Sequence, residues 1–130
     1  MRRTIRLAAL IAAFVLVASP LSARVVLNTI GGTAALIGHG QVARGVVLLE
    51  CTAGEQVQFT LTLTQDGVSG TGSGAGVCTG ELTEYEVTVP AAGDTFTAGL
   101  AEACATADNY RRGVLVDSKQ WCRAAGVVLD

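Results

Sequence analysis

The sequence predicts an all-β protein, an antiparallel β-sandwich or small barrel of about seven short strands. Three observations predict it. Val57, Phe59, Leu61 and Leu63 alternate with Gln58, Thr60, Thr62 and Thr64, a period of two that puts one set on each face of a strand. Turn residues punctuate the chain about every 8–15 positions. No amphipathic stretch of helical length separates the strand patterns.

The elements follow in order. Val46 to Cys51 is the first clear strand and Val57 to Thr64 the second. Asp66-Gly67 is a turn signal, and Val68 to Cys78 returns as a third strand with glycine at 70, 72, 74 and 76. Glu84 to Val89 alternates Tyr85, Val87 and Val89 with Glu84, Glu86 and Thr88 until Pro90 stops it. Gly99 to Thr106 alternates alanines with larger residues, which fits a strand, with a short helix as the alternative because alanine is a weak strand former. Val114 to Val116 and Gly126 to Leu129 complete the set. Residues 24–41, rich in glycine and alanine, are expected to be a flexible arm or edge strand in front of a sandwich domain over 42–130.

The first residues are organised differently. Arg2, Arg3 and Arg6 precede an unbroken apolar run from Leu7 to Ala18, then Pro20 and the small residues Ser22 and Ala23. This is the pattern of a secretory signal peptide over 1–23, with cleavage after Ala23. The run is too short to span a bilayer, which takes about 20 apolar residues. Retention as an uncleaved anchor is the alternative, although Arg24, Asn28, Gly31 and Gly32 make the next stretch a poor membrane helix. No membrane span is expected after cleavage, and the expected location is extracellular.

The chain has 130 residues, 50% of them hydrophobic and 15% charged, which is too apolar for a disordered chain. Nine basic residues stand against 11 acidic ones, a net charge of −2. Loss of residues 1–23 removes three of the nine basic residues and none of the acidic ones, moving the net charge from −2 to −5. A nucleic-acid partner is therefore excluded, since such proteins carry a basic footprint.

Cys51, Cys78, Cys104 and Cys122 form an even set without a C-x-x-C pair, and His39 is the one histidine. Zinc is not expected from such spacing. Two disulfides are expected in an exported chain. Of three possible connectivities, Cys51–Cys78 with Cys104–Cys122 is favoured, and an inter-sheet pair as in antibody domains is the alternative.

No residue set has a catalytic spacing. The glycines of 67–76 lack the Lys-Ser/Thr ending of a phosphate loop and no helix follows them. Their alternation leaves one strand face bare, which suits close approach of another backbone or forms a ligand groove. His39 lies between glycines with no acid or nucleophile near it in sequence, and Ser69, Ser73 and Ser118 have no base beside them. Glu84 and Glu86 alone leave room for an enzyme, so the protein is expected not to be one, and no cofactor is implied. Tyr110, Arg111, Arg112 and Trp121 are the candidate binding surface, with Lys119 and Arg123 adding to a basic cluster and Glu81, Glu84 and Glu86 forming an acidic one. Trp121 alternatively packs on a disulfide or neighbouring strand.

The segments Glu50-Cys51-Thr52-Ala53-Gly54-Glu55, Thr62-Leu63-Thr64-Gln65, Gly72-Ser73-Gly74, Cys78-Thr79-Gly80 and Val87-Thr88-Val89, with Phe96 before Gly99-Leu100-Ala101, occur in an order that resembles small secreted actinobacterial proteins with immunoglobulin-like sandwiches. The resemblance covers about residues 46–129. It implies an immunoglobulin-like fold and export, and no site residues, because that group has no assigned activity. A weaker similarity is to the neocarzinostatin-like chromophore-binding sandwiches, whose motifs are not matched, and fold analogy does not carry function.

Three functions are compatible with this reading. The leading expectation is a secreted, non-enzymatic module that binds a protein or cell-envelope component. The second is a protease inhibitor presenting Ala107 to Gly113 as a loop, with Arg111 or Arg112 entering a trypsin-like pocket. The third is a carrier of a small apolar ligand lying on the glycine strand.

Overall fold

The computed structural model describes residues 25–130, so the signal-peptide segment 1–23 lies outside the described residues. Every regular element described is a strand: β1 (Val25–Ile30), β2 (Thr33–Ile37), β3 (Val42–Cys51), β4 (Gln56–Gln65), β5 (Val68–Val77), β6 (Thr83–Pro90), β7 (Gly99–Arg111) and β8 (Val114–Leu129). The all-β expectation holds. The helix alternative at 99–106 does not, because β7 pairs there with β4 and β8 on both edges.

The described residues form eight strands rather than about seven. Val114–Val116 and Gly126–Leu129 are the two ends of β8, and residues 25–37 supply β1 and β2. The middle of β8 concealed itself because Asp117 to Gln120 carries no apolar alternation, and β7 is its one strand partner among the described residues over 114–123. Residues of the segment set apart as arm or edge strand are part of the core, with Ile30 and Ala34 buried.

The strands follow the order β1-β3-β2-β8-β7-β4-β5, with β6 on the other edge of β3. β2 holds the arrangement together. Its end pairs antiparallel with β3 at Ala35↔Arg44, and its start pairs with β8 at Thr33↔Val128 and Ala34↔Leu129. That second pairing is parallel, so the expectation of a wholly antiparallel fold is corrected at these two residues. It arises because the chain leaves one sheet for the other between β1 and β3.

The inner faces obey the period of two. Val57, Phe59, Leu61 and Leu63 of β4 meet Ala101, Ala103, Ala105 and Ala107 of β7 inside, with Val47 and Leu49 of β3 and Val87 and Val89 of β6. The small alanines let β7 sit close to the larger residues opposite. Phe96, in the connection between β6 and β7, is 2% exposed and completes the core.

Glycine solves the remaining problem, the meeting of β5 with β6. A Cβ at Gly70 would lie 2.1 Å from the Pro90 carbonyl oxygen, and one at Gly72 would lie 2.0 Å from that of Thr88. Gly74 and Gly76 lie under the rings of Phe59 and Tyr85, whose centroids are 4.8 Å apart. The bare face predicted from sequence is thus covered by another backbone and two aromatic rings. Two hairpins are closed by two-residue turns with both central residues at positive φ, Asp66-Gly67 (48° and 82°) and Arg112-Gly113 (54° and 80°).

Both disulfides follow the favoured connectivity, Cys51–Cys78 and Cys104–Cys122. The alternative, an antibody-type pair between facing strands of the two sheets, does not form. Cys104 and Cys122 face one another across β7 and β8 within one sheet, and Cys51–Cys78 ties the end of β3 to the segment after β5. Such bridges suit an oxidising compartment. No described helix is long and apolar enough to cross a membrane.

Candidate interaction surface

The turn at Arg112-Gly113 places Arg111 opposite Val114 and Tyr110 opposite Leu115 at the tip of the β7–β8 hairpin. Tyr110 is half-buried, while Arg111 and Arg112 are exposed. The register continues across four strands as Val77, Gln56, Tyr110 and Leu115, a row on the outer face. Val77, Val114 and Leu115 are 59%, 63% and 52% exposed. At this end of the molecule Val77 and Leu115 share the outer face with Tyr110, while Val114 shares the opposite face with Arg111.

Beside the tip lies a cleft of about 270 Å³ lined by Thr52, Ala53, Gly54, Glu55, Arg111 and Arg112. The β3–β4 loop that forms it is fixed by the Cys51–Cys78 bridge and by backbone bonds Gly54 N–H to Cys78 O (2.9 Å) and Cys78 N–H to Glu55 O (2.8 Å). Glu55 is buried, and the Asn109 amide donates to its Oε1 at 3.2 Å. Neither Arg111 nor Arg112 forms an ion pair among the described residues.

Trp121 does not belong to this surface. It pairs with Ala105 and packs its half-buried ring on the core, while Cys122 points to the opposite face. Of its two structural readings, packing on the neighbouring strand is the one seen. The basic cluster is likewise divided. Lys119 lies 4.0 Å from Asp117, and Arg123 turns inward to donate from Nε to Gly126 O (2.7 Å) and from Nη1 to Ile30 O (3.2 Å). Arg123 thereby ties the irregular turn of β8 at 124–126 to the end of β1. Replacing it with leucine strips two carbonyls of a charged donor, and thermal unfolding should show a loss of about 1–3 kcal/mol.

The remaining candidates are dispersed. His39 is exposed in the β2–β3 turn. Ser118 Oγ donates to Asp108 Oδ1 at 2.6 Å with no imidazole beside it. Ser69 and Ser73 point outward on β5. Glu84 and Glu86 stand exposed on β6, with Glu86 at 4.0 Å from Arg44. Among the described residues no cluster of His, Cys, Asp or Glu could hold a metal ion.

Ala107 to Gly113, expected as an exposed loop, is instead strand β7 and a tight turn. Its backbone is committed to β4 and β8 through Tyr110 and Arg111, so it is not the extended, free-standing segment that a protease cleft grips. The groove expected on the glycine strand is filled by β6, Phe59 and Tyr85.

Sequence reading missed Gln65 and Asn109. Gln65 grips the β6–β7 connection, donating to Thr97 O at 2.8 Å and accepting from Thr97 N–H at 2.9 Å. Parity was the available signal: Gln65 extends the inward series 57, 59, 61, 63, and Asn109 extends 101, 103, 105, 107.

The fold and its surface define a small, disulfide-stapled all-β protein with an apolar, cationic tip. Comparisons with protein-family models, curated proteins and solved structures find no match.

Proposed function

We propose that the protein is a secreted, non-enzymatic binding module that engages a protein or cell-envelope component through the tip of the β7–β8 hairpin. The observation that carries this reading is the exposure of Val77, Val114 and Leu115 on the two faces of the end that also carries Tyr110, Arg111 and Arg112. Exposed apolar side chains rimmed by charge are the usual composition of a binding surface. The cations favour a partner with acidic groups around an apolar patch. Export is supported by the basic leader, its short apolar run and the two disulfides.

The scaffold is read as an immunoglobulin-like sandwich. One group of strands is β1-β3-β6 and the other β2-β8-β7-β4-β5. This order corresponds to strands A, B and E against A′, G, F, C and C′ of such domains, with β2 as the strand that changes sheets. The departure is the missing bridge between the second and sixth of those strands.

Immobilised protein should retain a defined species from culture supernatant or solubilised envelope. The double variant Arg111→Glu/Leu115→Asp should bind it at least about tenfold more weakly, and Thr62→Ser on the outer face should bind as wild type. Equal retention by all three proteins contradicts the proposal, as does the absence of any specific species.

A further inference from the structure

We propose that Cys104–Cys122 is a thiol-exchange site: an external thiol opens this bridge, and joins Cys122 as a mixed disulfide, while the folded sheet remains intact. Three observations converge on it. The first is location. Both cysteines lie on the outer face of the sheet, Cys122 exposed and Cys104 half-buried, whereas Cys51 and Cys78 are each 2% exposed. Exchange requires an attacking sulfur to reach the bridge, so access separates the two disulfides.

The second is redundancy. The bridge joins residues that already face one another, in a hairpin closed by the Arg112-Gly113 turn and paired from Arg111↔Val114 to Gly99↔Leu129. β7 is held independently by β4 on its other edge, from Gln56↔Tyr110 to Thr64↔Glu102. The chain separation of 18 that the bridge closes is therefore closed without it. The ends of Cys51–Cys78 are held by less: no described ladder pairs β3 with β5, and three backbone bonds join residues 51–55 to Cys78 and Gly80 beyond the last β4–β5 pair, Gln56↔Val77.

The third is surroundings. The outer-face neighbours in the same register row are Thr62 and Thr71, whose hydroxyls are bonded to one another at 2.9 Å. Nothing bulky stands beside the bridge in that row. Glu102 lies two residues from Cys104 on the same face and Asp108 four residues from it, so a neutral thiol is the favoured reagent over an anionic one.

The electrons balance as follows. A thiolate sulfur bonds to Cys122 Sγ as the Sγ–Sγ bond breaks. The bonding pair leaves on Cys104 Sγ, which takes a proton from water. A second thiolate then attacks the external sulfur of the mixed disulfide, releases Cys122 as a thiolate that is protonated in turn, and carries away the oxidised reagent. Two electrons pass from the two external thiolates, which leave as a disulfide, to the protein.

The test uses the intact oxidised protein and dithiothreitol, a neutral dithiol, with iodoacetamide trapping and peptide mass mapping. Cys104 and Cys122 should be labelled at least about tenfold faster than Cys51 and Cys78, and circular dichroism should be unchanged while only the first pair is labelled. A trapped adduct with a neutral monothiol, 2-mercaptoethanol, should be found on Cys122. The variant Cys104→Ser/Cys122→Ser should fold and show a smaller fall in Tm than Cys51→Ala/Cys78→Ala. Simultaneous labelling of all four cysteines, earlier labelling of Cys51 and Cys78, or loss of the β spectrum once Cys104 and Cys122 alone are labelled overturns the proposal.

Discussion

Replacing Gly72 with alanine is expected to cost about 3 kcal/mol or more and to leave much of the protein unfolded at physiological temperature. The added methyl carbon would lie 2.0 Å from the carbonyl oxygen of Thr88 and 2.8 Å from a methyl group of Val87. The first of these is a backbone atom in the β3–β6 ladder, where Arg44 pairs with Thr88, so it cannot swing aside as a side-chain tip would. Relief requires β5 to lift from β6 and expose Val87, which is 1% accessible in the native fold. The chemical denaturation midpoint reads this directly. Ser73→Ala, one residue away but facing outward, should move it by less than about 0.5 kcal/mol.

Removal of Cys51–Cys78 is expected to have an effect of the same size. A bridge that closes a chain separation of 27 contributes about 3–4 kcal/mol by loop entropy. Here the bridge also fixes the β3–β4 loop and the turn after β5, where Gly80 N–H donates to Cys51 O at 3.0 Å and Cys78 N–H to Glu55 O at 2.8 Å. Both sulfurs belong to core residues, so truncation adds a packing loss to the entropic one. Cys51→Ala/Cys78→Ala should therefore show a large fall in Tm under non-reducing conditions. Since Arg111 and Arg112 border the loop that this bridge fixes, partner binding should weaken as well.

The fold was legible wherever one face of a strand is buried and the other is not. Val57 to Leu63 gave its strand and its face, Asp66-Gly67 gave its turn, and four cysteines gave two bridges. The signal failed where that asymmetry fails. Among the described residues the middle of β8 has a single strand partner, and its run from Ser118 to Gln120 is exposed and polar, so it carries no period to detect. β2 was obscured because five residues serve two different partners and cannot show a sustained pattern. The glycines of β5 announced a close approach but not what approaches, since the Pro90 and Thr88 carbonyls belong to backbone without sequence identity.

The candidate surface was half legible. Tyr110, Arg111 and Arg112 all lie at the hairpin tip because they are consecutive, although Tyr110 and Arg111 face opposite sides of the strand. Trp121 and Arg123 were grouped with them by composition, yet strand register carries them several positions along the hairpin and turns both inward. Val77 and Leu115 could not be added from sequence, because only the pairing of β5, β4, β7 and β8 brings them into the row of Tyr110.

Amide hydrogen exchange on the protein with its retained partner tests the central claim most directly. Binding through the hairpin tip predicts slowed exchange at Arg111 to Val116 and at Thr52 to Gly54, with β1, β6 and the His39 turn unchanged. Slowed exchange confined to β6 or to the His39 turn, with the tip exchanging as in the free protein, contradicts it.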